Sequence, residues 1–131
     1  MKRLDIQNTD GWFHLSEQEA LECSDAQGNK GCEGGLEYNV WDYMIEGGRS
    51  ILQETEYPYT SDDLDCRRTD DQAALNYGVT GWQRAQRDSI DAMKEAVSRW
   101  PVAVGVYASC NAFMFYKEGI ITEAECPVTR R

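Results

Sequence analysis

Leu15-Ser16-Glu17-Gln18-Glu19-Ala20-Leu21-Glu22-Cys23 is followed, after Ser24-Asp25-Ala26, by Gln27-Gly28-Asn29-Lys30-Gly31-Cys32-Glu33-Gly34-Gly35-Leu36, and these two stretches decide the fold. In the first, Ser16 and Glu19 stand at capping-box spacing: the serine can cap a helix, and the glutamate can reach back to the serine N–H. A short helix is predicted to about Cys23. The second stretch lies in a turn-rich region, Ser24 to Gly35, with four glycines, which cannot continue the helix.

Outward from there, Leu36, Val40, Tyr43 and Met44 fall at i, i+4, i+7 and i+8, one apolar stripe of a second helix starting near Gly35. Gly47-Gly48 stops it, because glycine accepts the left-handed C′ position at little cost. Tyr57 precedes Pro58 and is predicted extended. Leu75, Tyr77 and Val79 alternate as a strand would. Asp88 or Ser89 caps a third helix, with Ile90, Met93, Ala96, Val97 and Trp100 expected inward and Pro101 ending it. Val102, Val104, Val106 and Ala108 alternate with Ala103, Gly105 and Tyr107, the clearest strand pattern in the chain. Ala112 to Ile121 is aromatic and closes in a turn at Glu118-Gly119. Helices first, then strand, helix and strand, point to an α+β fold.

Composition narrows the function classes. With 131 residues the chain suits one small domain. Asp and Glu outnumber Lys and Arg 23 to 13, which argues against a nucleic-acid partner, since phosphate binding needs basic clusters. Arg67-Arg68 and Arg130-Arg131 read as solvated pairs. No segment has the run of about 20 apolar residues that spans a membrane, so no membrane partner is expected. Asp5, Gln7, Asn8 and Asp10 break up the start, so the chain as written carries no secretory signal. The five cysteines are Cys23, Cys32, Cys66, Cys110 and Cys126. An odd number leaves at least one thiol without an internal partner. Their spacings form no zinc knuckle and the one histidine is His14, so neither a metal nor another cofactor is expected.

The first stretch closely resembles the L-S-E-Q-x-L-x-D-C segment of papain-like cysteine peptidases. Gly31-Cys32-Glu33-Gly34-Gly35 resembles their G-C-x-G-G loop, in the form with Leu36 after the glycines that marks the cathepsin L-like branch. Tyr57-Pro58-Tyr59 with Cys66, Pro101-Val102-Ala103-Val104, and Phe115-Tyr116-Lys117-Glu118-Gly119-Ile120 are similar to three further landmarks in the same order. The resemblance covers about residues 9 to 126, and it implies a papain-like fold: most of the helical domain (about 1–75) plus the first strand and helix of the barrel domain (about 76–131). It also implies that the catalytic cysteine falls upstream of Met1, and the catalytic histidine and asparagine downstream of Arg131. No catalytic residue is then expected within the chain. Proteolysis by this mechanism needs a thiolate, a base and oxyanion donors.

The resemblance implies further roles. Cys23 and Cys66 are expected to pair, closing a loop that contributes on the order of 4 kcal/mol in the chain-entropy model. Cys32 and Cys126 are expected to pair with cysteines outside the chain. Cys110 matches no disulfide position of the family and reads as a small buried hydrophobe or a free thiol. Glu33, Gly34 and Gly35 match the loop whose backbone pairs with an extended peptide, though the glycines can equally be read as a tight turn and a helix start. Leu36, Glu37, Gly105 and Ala108 match positions lining the main specificity pocket. Glu37 departs from the usual apolar or small residue: it reads first as a residue of the helix start, and if the pocket forms it would tolerate basic side chains better.

The expected function is that of a segment of a cathepsin L-like endopeptidase, from a lysosomal or extracellular parent acting on peptides or proteins and inactive by itself. Uncovered valines at 102–106 would make the isolated chain marginally stable, or dependent on a protein partner that completes the fold. The alternative is a non-catalytic scaffold retained as a structural subunit or peptide-binding module.

Overall fold

The computed structural model describes residues 14–69 and 79–127. The chain divides into two compact units, Met1–Ala85 and Gln86–Arg131.

In the first unit, α1 spans Glu17–Cys23. Ser16 is extended, and its Oγ accepts from the Glu19 N–H at 2.9 Å while donating to the Tyr57 carbonyl at 2.6 Å. Only this half of the expected capping box forms. The Ser16 N–H goes instead to the Leu52 carbonyl at 2.9 Å, beside an antiparallel bridge of Leu15 with Gln53. The Glu19 carboxylate, with no exposed surface, turns inward. It accepts from the Leu52 N–H at 2.6 Å, from the Tyr43 hydroxyl at 3.0 Å and from Arg68. A buried charge is tolerated only when paired and hydrogen-bonded, as here, where Arg68 also donates to the Ser50 carbonyl at 2.8 Å.

Two 3-10 turns, Asp25–Gln27 and Gly31–Glu33, lead into α2, Glu37–Gly47. Gly48 ends α2 at φ +57, with its own N–H on the Ile45 carbonyl and the Arg49 N–H on Met44, the stop expected of that glycine. Of the predicted stripe, Tyr43 packs on the small core of Cys23, Leu52 and Tyr57, while Leu36 stays 48% exposed at the N-cap. Cys23 and Cys66 are disulfide-bonded, 4.7 Å apart at Cα. Trp82 Nε1 donates to Asp42 at 2.7 Å, its ring stacks on Tyr38, and Arg84 lies over both rings. These contacts pin residues 82–84 to α2.

In the second unit, Ser89 rather than Asp88 caps α3, Ile90–Arg99, by accepting from the Ala92 N–H at 3.1 Å. The apolar stripe of α3 was expected inward, but it is uncovered: Ile90 is 75% exposed and Val97 62%. None of this unit's described residues is buried. The strand expected over 102–108 is also not formed, and Val104 and Val106 are each 59% exposed. A strand exists by pairing, and among the described residues no segment pairs with this one. Leu75 and Tyr77 of the other expected strand lie outside the described residues, and Val79 is irregular. A short helix α4, Asn111–Met114, follows, and the Tyr116 hydroxyl donates to the carbonyl of Gly119, itself at φ +90.

The remaining cysteines correct the expectation. Cys110 is neither a buried hydrophobe nor a free thiol: it pairs with Cys126, which was expected to bond outside the chain. Sequence spacing could not announce this pair, because α4 and the turn at Gly119 bring the ends together. Cys32 is the free, exposed thiol.

Glu19→Ala would strand Arg68, Tyr43 and the Leu52 N–H together. The expected loss is about 3–5 kcal/mol, the cost of breaking a buried charge pair from one side. Glu19→Gln, which keeps an acceptor, should lose less. Denaturant unfolding of the chain and both variants measures the two values.

Candidate peptide-binding loop

The loop after α1 is organised by a side chain outside the glycine motif. Asn29 Nδ2 donates to Ser24 Oγ at 2.7 Å, and that hydroxyl donates to the Ala20 carbonyl at 2.7 Å, anchoring Asn29 to the end of α1. Asn29 Oδ1 accepts from the Leu36 N–H at 2.8 Å and from Asn39 Nδ2 at 2.9 Å, fixing the start of α2. The Lys30 N–H donates to the Gly34 carbonyl at 2.9 Å and closes the loop across its neck. From the other side, Asp63 Oδ2 accepts from the Cys32 N–H at 3.0 Å.

Asp63 is held in turn by the first unit's polar interior. Gln18, fully buried, donates to the Asp62 carbonyl at 2.6 Å and accepts from the Thr60 N–H at 3.0 Å. Glu22 accepts from Gln18 at 2.6 Å, from Arg67 Nε at 3.1 Å and from the Tyr57 hydroxyl. Burial pushes the Glu22 carboxyl up, but the hydrogen bonds from Tyr57, Gln18 and Arg67, with the Arg67 charge, outweigh it and hold the group below its ordinary value. Burial and the Glu22 contact push Tyr57 up. Burial, then the Glu19 charge and hydrogen bond, push Tyr43 up to about 12.

Each glycine of the loop has its own reason. Gly34 sits at φ +110, and a Cβ there would meet nothing. A Cβ on Gly35 would fall onto the Asn29 carboxamide, and one on Gly31 onto the Asp63 carboxylate. The tight-turn reading therefore accounts for the glycines internally. What remains outward is backbone: among the described residues no group bonds the N–H or C=O of Gly35. Glu33, Gly34, Gly35, Leu36 and Glu37 are all exposed. A shallow, mostly apolar depression of about 270 Å³ is lined by Leu21, Gly34, Gly35, Leu36, Glu37 and Val40, among others. A larger polar hollow of about 520 Å³ lies beside the Cys23–Cys66 bridge. Its Glu22 is saturated by hydrogen bonds, whereas the smaller depression is apolar and bordered by the exposed stretch Gly34-Gly35-Leu36-Glu37, so the smaller one is the better candidate.

Gly105 and Ala108 lie in the second unit, both exposed on the irregular segment 101–109. Cys32 and His14, the free thiol and the single imidazole, share no hydrogen bond. Sequence reasoning passed over Asn29 and Asp63. An Asn inside a glycine run, able to bond both ways with nearby backbone, was the available signal for Asn29. Asp63, reaching across from a distant segment, had none.

Comparison with known proteins identifies the family. The family model described as papain family cysteine protease matches residues 2–130, and the chain belongs to that family. Cysteine proteinase 2 of Entamoeba histolytica is 38% identical over 86% of this chain, and cathepsin L2 of Homo sapiens is 34% identical over 86%. The crystal structure of a Carica candamarcensis cysteine protease in complex with E-64 superposes with a TM-score of 0.68 at 30% identity, over 86% of this chain and 51% of that one. The fold is thus papain-like and the sequence cathepsin L-like. The chain spans about a third of the length of the curated relatives it matches, 34% for the amoebal proteinase and 33% for cathepsin L2.

Gly35→Ala is expected to displace the Asn29 carboxamide and free the Leu36 N–H. The expected cost is about 1–3 kcal/mol, the range for a broken side-chain-to-backbone bond. Amide hydrogen exchange should show faster exchange at Leu36, with Cys23–Cys66 intact. A second expectation concerns pH. The Glu22 carboxyl is depressed in the folded state, so its contribution is full above the ordinary value of about 4.3 and is lost as pH falls through the lower native one. The stability gap between the protein and Glu22→Gln should therefore narrow as pH drops below about 4.3, followed by urea midpoints.

Proposed function

We propose that this chain is a segment of a cathepsin L-like cysteine endopeptidase whose whole length hydrolyses peptide bonds by Cys–His catalysis, and that the segment alone is inactive. The observation that carries the reading is the open backbone of Gly35, held on a ledge by Asn29, Lys30 and Asp63. An exposed donor and acceptor on a small residue suit an extended peptide added as a strand. The helical part is read as about 1–75 and the start of the barrel part as about 76–131. Leu36 and Glu37 on the first unit, and separately Gly105 and Ala108 on the second, are read as substrate-binding residues. Glu37, exposed at the start of α2 and bordering the apolar depression, favours a basic side chain there. Two disulfides fit an oxidising compartment, lysosomal or extracellular.

The test is the intact mass of the native protein, isolated from its source with an antibody to this segment and assayed on a peptide substrate. A mass well above 14.9 kDa with thiol-dependent hydrolysis, against no turnover by the 131-residue chain, is the expected result. A native mass near 14.9 kDa would overturn it and favour a non-catalytic peptide-binding subunit.

A further inference from the structure

We propose that the Cys23–Cys66 disulfide is a thiol-exchange site open at one sulfur, that of Cys66, and that the acidic hollow beside it admits cationic thiols and turns away anionic ones such as glutathione. The inference is independent of the proteolytic reading, since it concerns only the bridge and its surroundings.

The two ends of the bridge are unlike. Cys23 is 5% exposed and packs with Leu52 and Tyr57 in the small core. Cys66 is exposed and borders the hollow of about 520 Å³. Exchange begins when a thiolate reaches one sulfur, so access selects Cys66. The incoming sulfur bonds to Cys66, the S–S bond breaks, and its electron pair leaves on Cys23, which takes a proton from water. A second thiolate of the same reagent attacks the reagent sulfur of the mixed disulfide and releases Cys66. The reagent is oxidised to its own disulfide and the bridge is reduced to two thiols.

The Cys23 end resists this first step. Its sulfur lies 3.7 Å from the Tyr57 hydroxyl, whose one hydrogen goes to Glu22. A thiolate leaving there is buried, lacks a free donor, and sits near a carboxylate whose charge is shared with Arg67. Its return onto Cys66 is intramolecular, so the bridge recloses unless reagent is plentiful in the hollow.

Charge sets which reagent can be plentiful there. Glu22, Asp25, Asp63 and Asp65 line the hollow against one lysine, Lys30. Arg67 is occupied by Glu22 and lies over the Tyr57 ring at 4.7 Å, and Arg68 is paired with Glu19. Three aspartates are left facing one lysine. A concave wall of one sign concentrates the opposite charge and depletes its own. Glutathione arrives as an anion, whereas cysteamine carries an ammonium beside its sulfur. The bridge thus holds α1 to the returning segment while an anionic thiol pool keeps other cysteines reduced.

The experiment uses the full-length protein that carries this segment and its Asp25→Asn/Asp65→Asn variant. Free thiols are first blocked with iodoacetamide. The folded protein then meets cysteamine, mercaptoethanol or glutathione at equal thiolate concentration, and quenched samples are mapped by mass spectrometry. Dividing each rate by that of the same thiol on the urea-unfolded chain removes intrinsic reactivity. Adducts should sit on Cys66 with Cys23 free. Cysteamine should outrun glutathione by about tenfold or more, with mercaptoethanol between them. The ratio should shrink in the double variant and at about 1 M salt, where charges are screened beyond about 3 Å. Adducts on Cys23 overturn the one-sulfur assignment. Normalised rates indifferent to the reagent's charge, or an order that salt leaves unchanged, overturn the role of the hollow. No opening of the folded protein by any of the three, while the unfolded chain reacts, overturns the proposal outright.

Discussion

The carboxylate of Glu19, buried within the first unit, is the constraint on which the rest of that unit depends. Its three donors come from three different places: Tyr43 on α2, the backbone of Leu52, and Arg68 just past the Cys23–Cys66 bridge. Each brings a chain segment to α1. The apolar core is too small to do this alone, since Cys23, Ile51, Leu52 and Tyr57 are the hydrophobic residues buried among those described. Polar groups therefore specify the arrangement that burial cannot. A network of this kind is stable only when complete, because any donor left over in the interior costs about as much as a hydrogen bond gains.

From that centre the order spreads outward to the loop. Gln18 and Glu22, one and three residues from Glu19 along α1, bind the returning segment from Tyr57 to Arg67. That segment carries Asp63, and Asp63 holds the Cys32 N–H. On the far side Ser24, at the end of α1, holds Asn29, which holds Leu36. The ledge is thus suspended between the two ends of α1 by side chains absent from the motif that marks it. The disulfide keeps the returning segment near α1 in the unfolded ensemble as well, which lowers the entropy lost when those polar contacts form.

Much of this order was legible in local sequence. The Ser16 cap, the Gly48 stop, the Ser89 cap and the pairing of Cys23 with Cys66 depend on residues that act within a turn or on a familiar motif. Glu19 was misread because its capping-box spacing describes what the residue can do locally, and a buried long-range demand outbid it. The stripe of α3 was read correctly as a pattern and wrongly as a buried surface, whereas Val104 and Val106, expected uncovered, are exposed but form no strand. Periodicity records which face is apolar, whereas burial also requires something to cover it. Cys110 was misread for a related reason: its partner is set by the path of the chain through α4 and the Gly119 turn, and no spacing rule encodes that path.

The glycines show why a motif and a function are different claims. Gly31 and Gly35 are required by neighbours, Asp63 and Asn29, and Gly34 by its φ of +110. A scaffold with no catalytic residue at all would need the same three. Their presence therefore argues for the papain-like fold and is neutral about proteolysis. What is not explained internally is the unbonded N–H and C=O of Gly35, because backbone polar groups are ordinarily paired unless something else, water or a ligand, is to meet them. The loop satisfies the carbonyl of Gly34, the N–H of Cys32 and the N–H of Leu36, and among the described residues the carbonyls of Cys32 and Glu33 and both backbone groups of Gly35 have no protein partner. Those groups are exposed, so water meets them, and their opening leaves room for another backbone without requiring one.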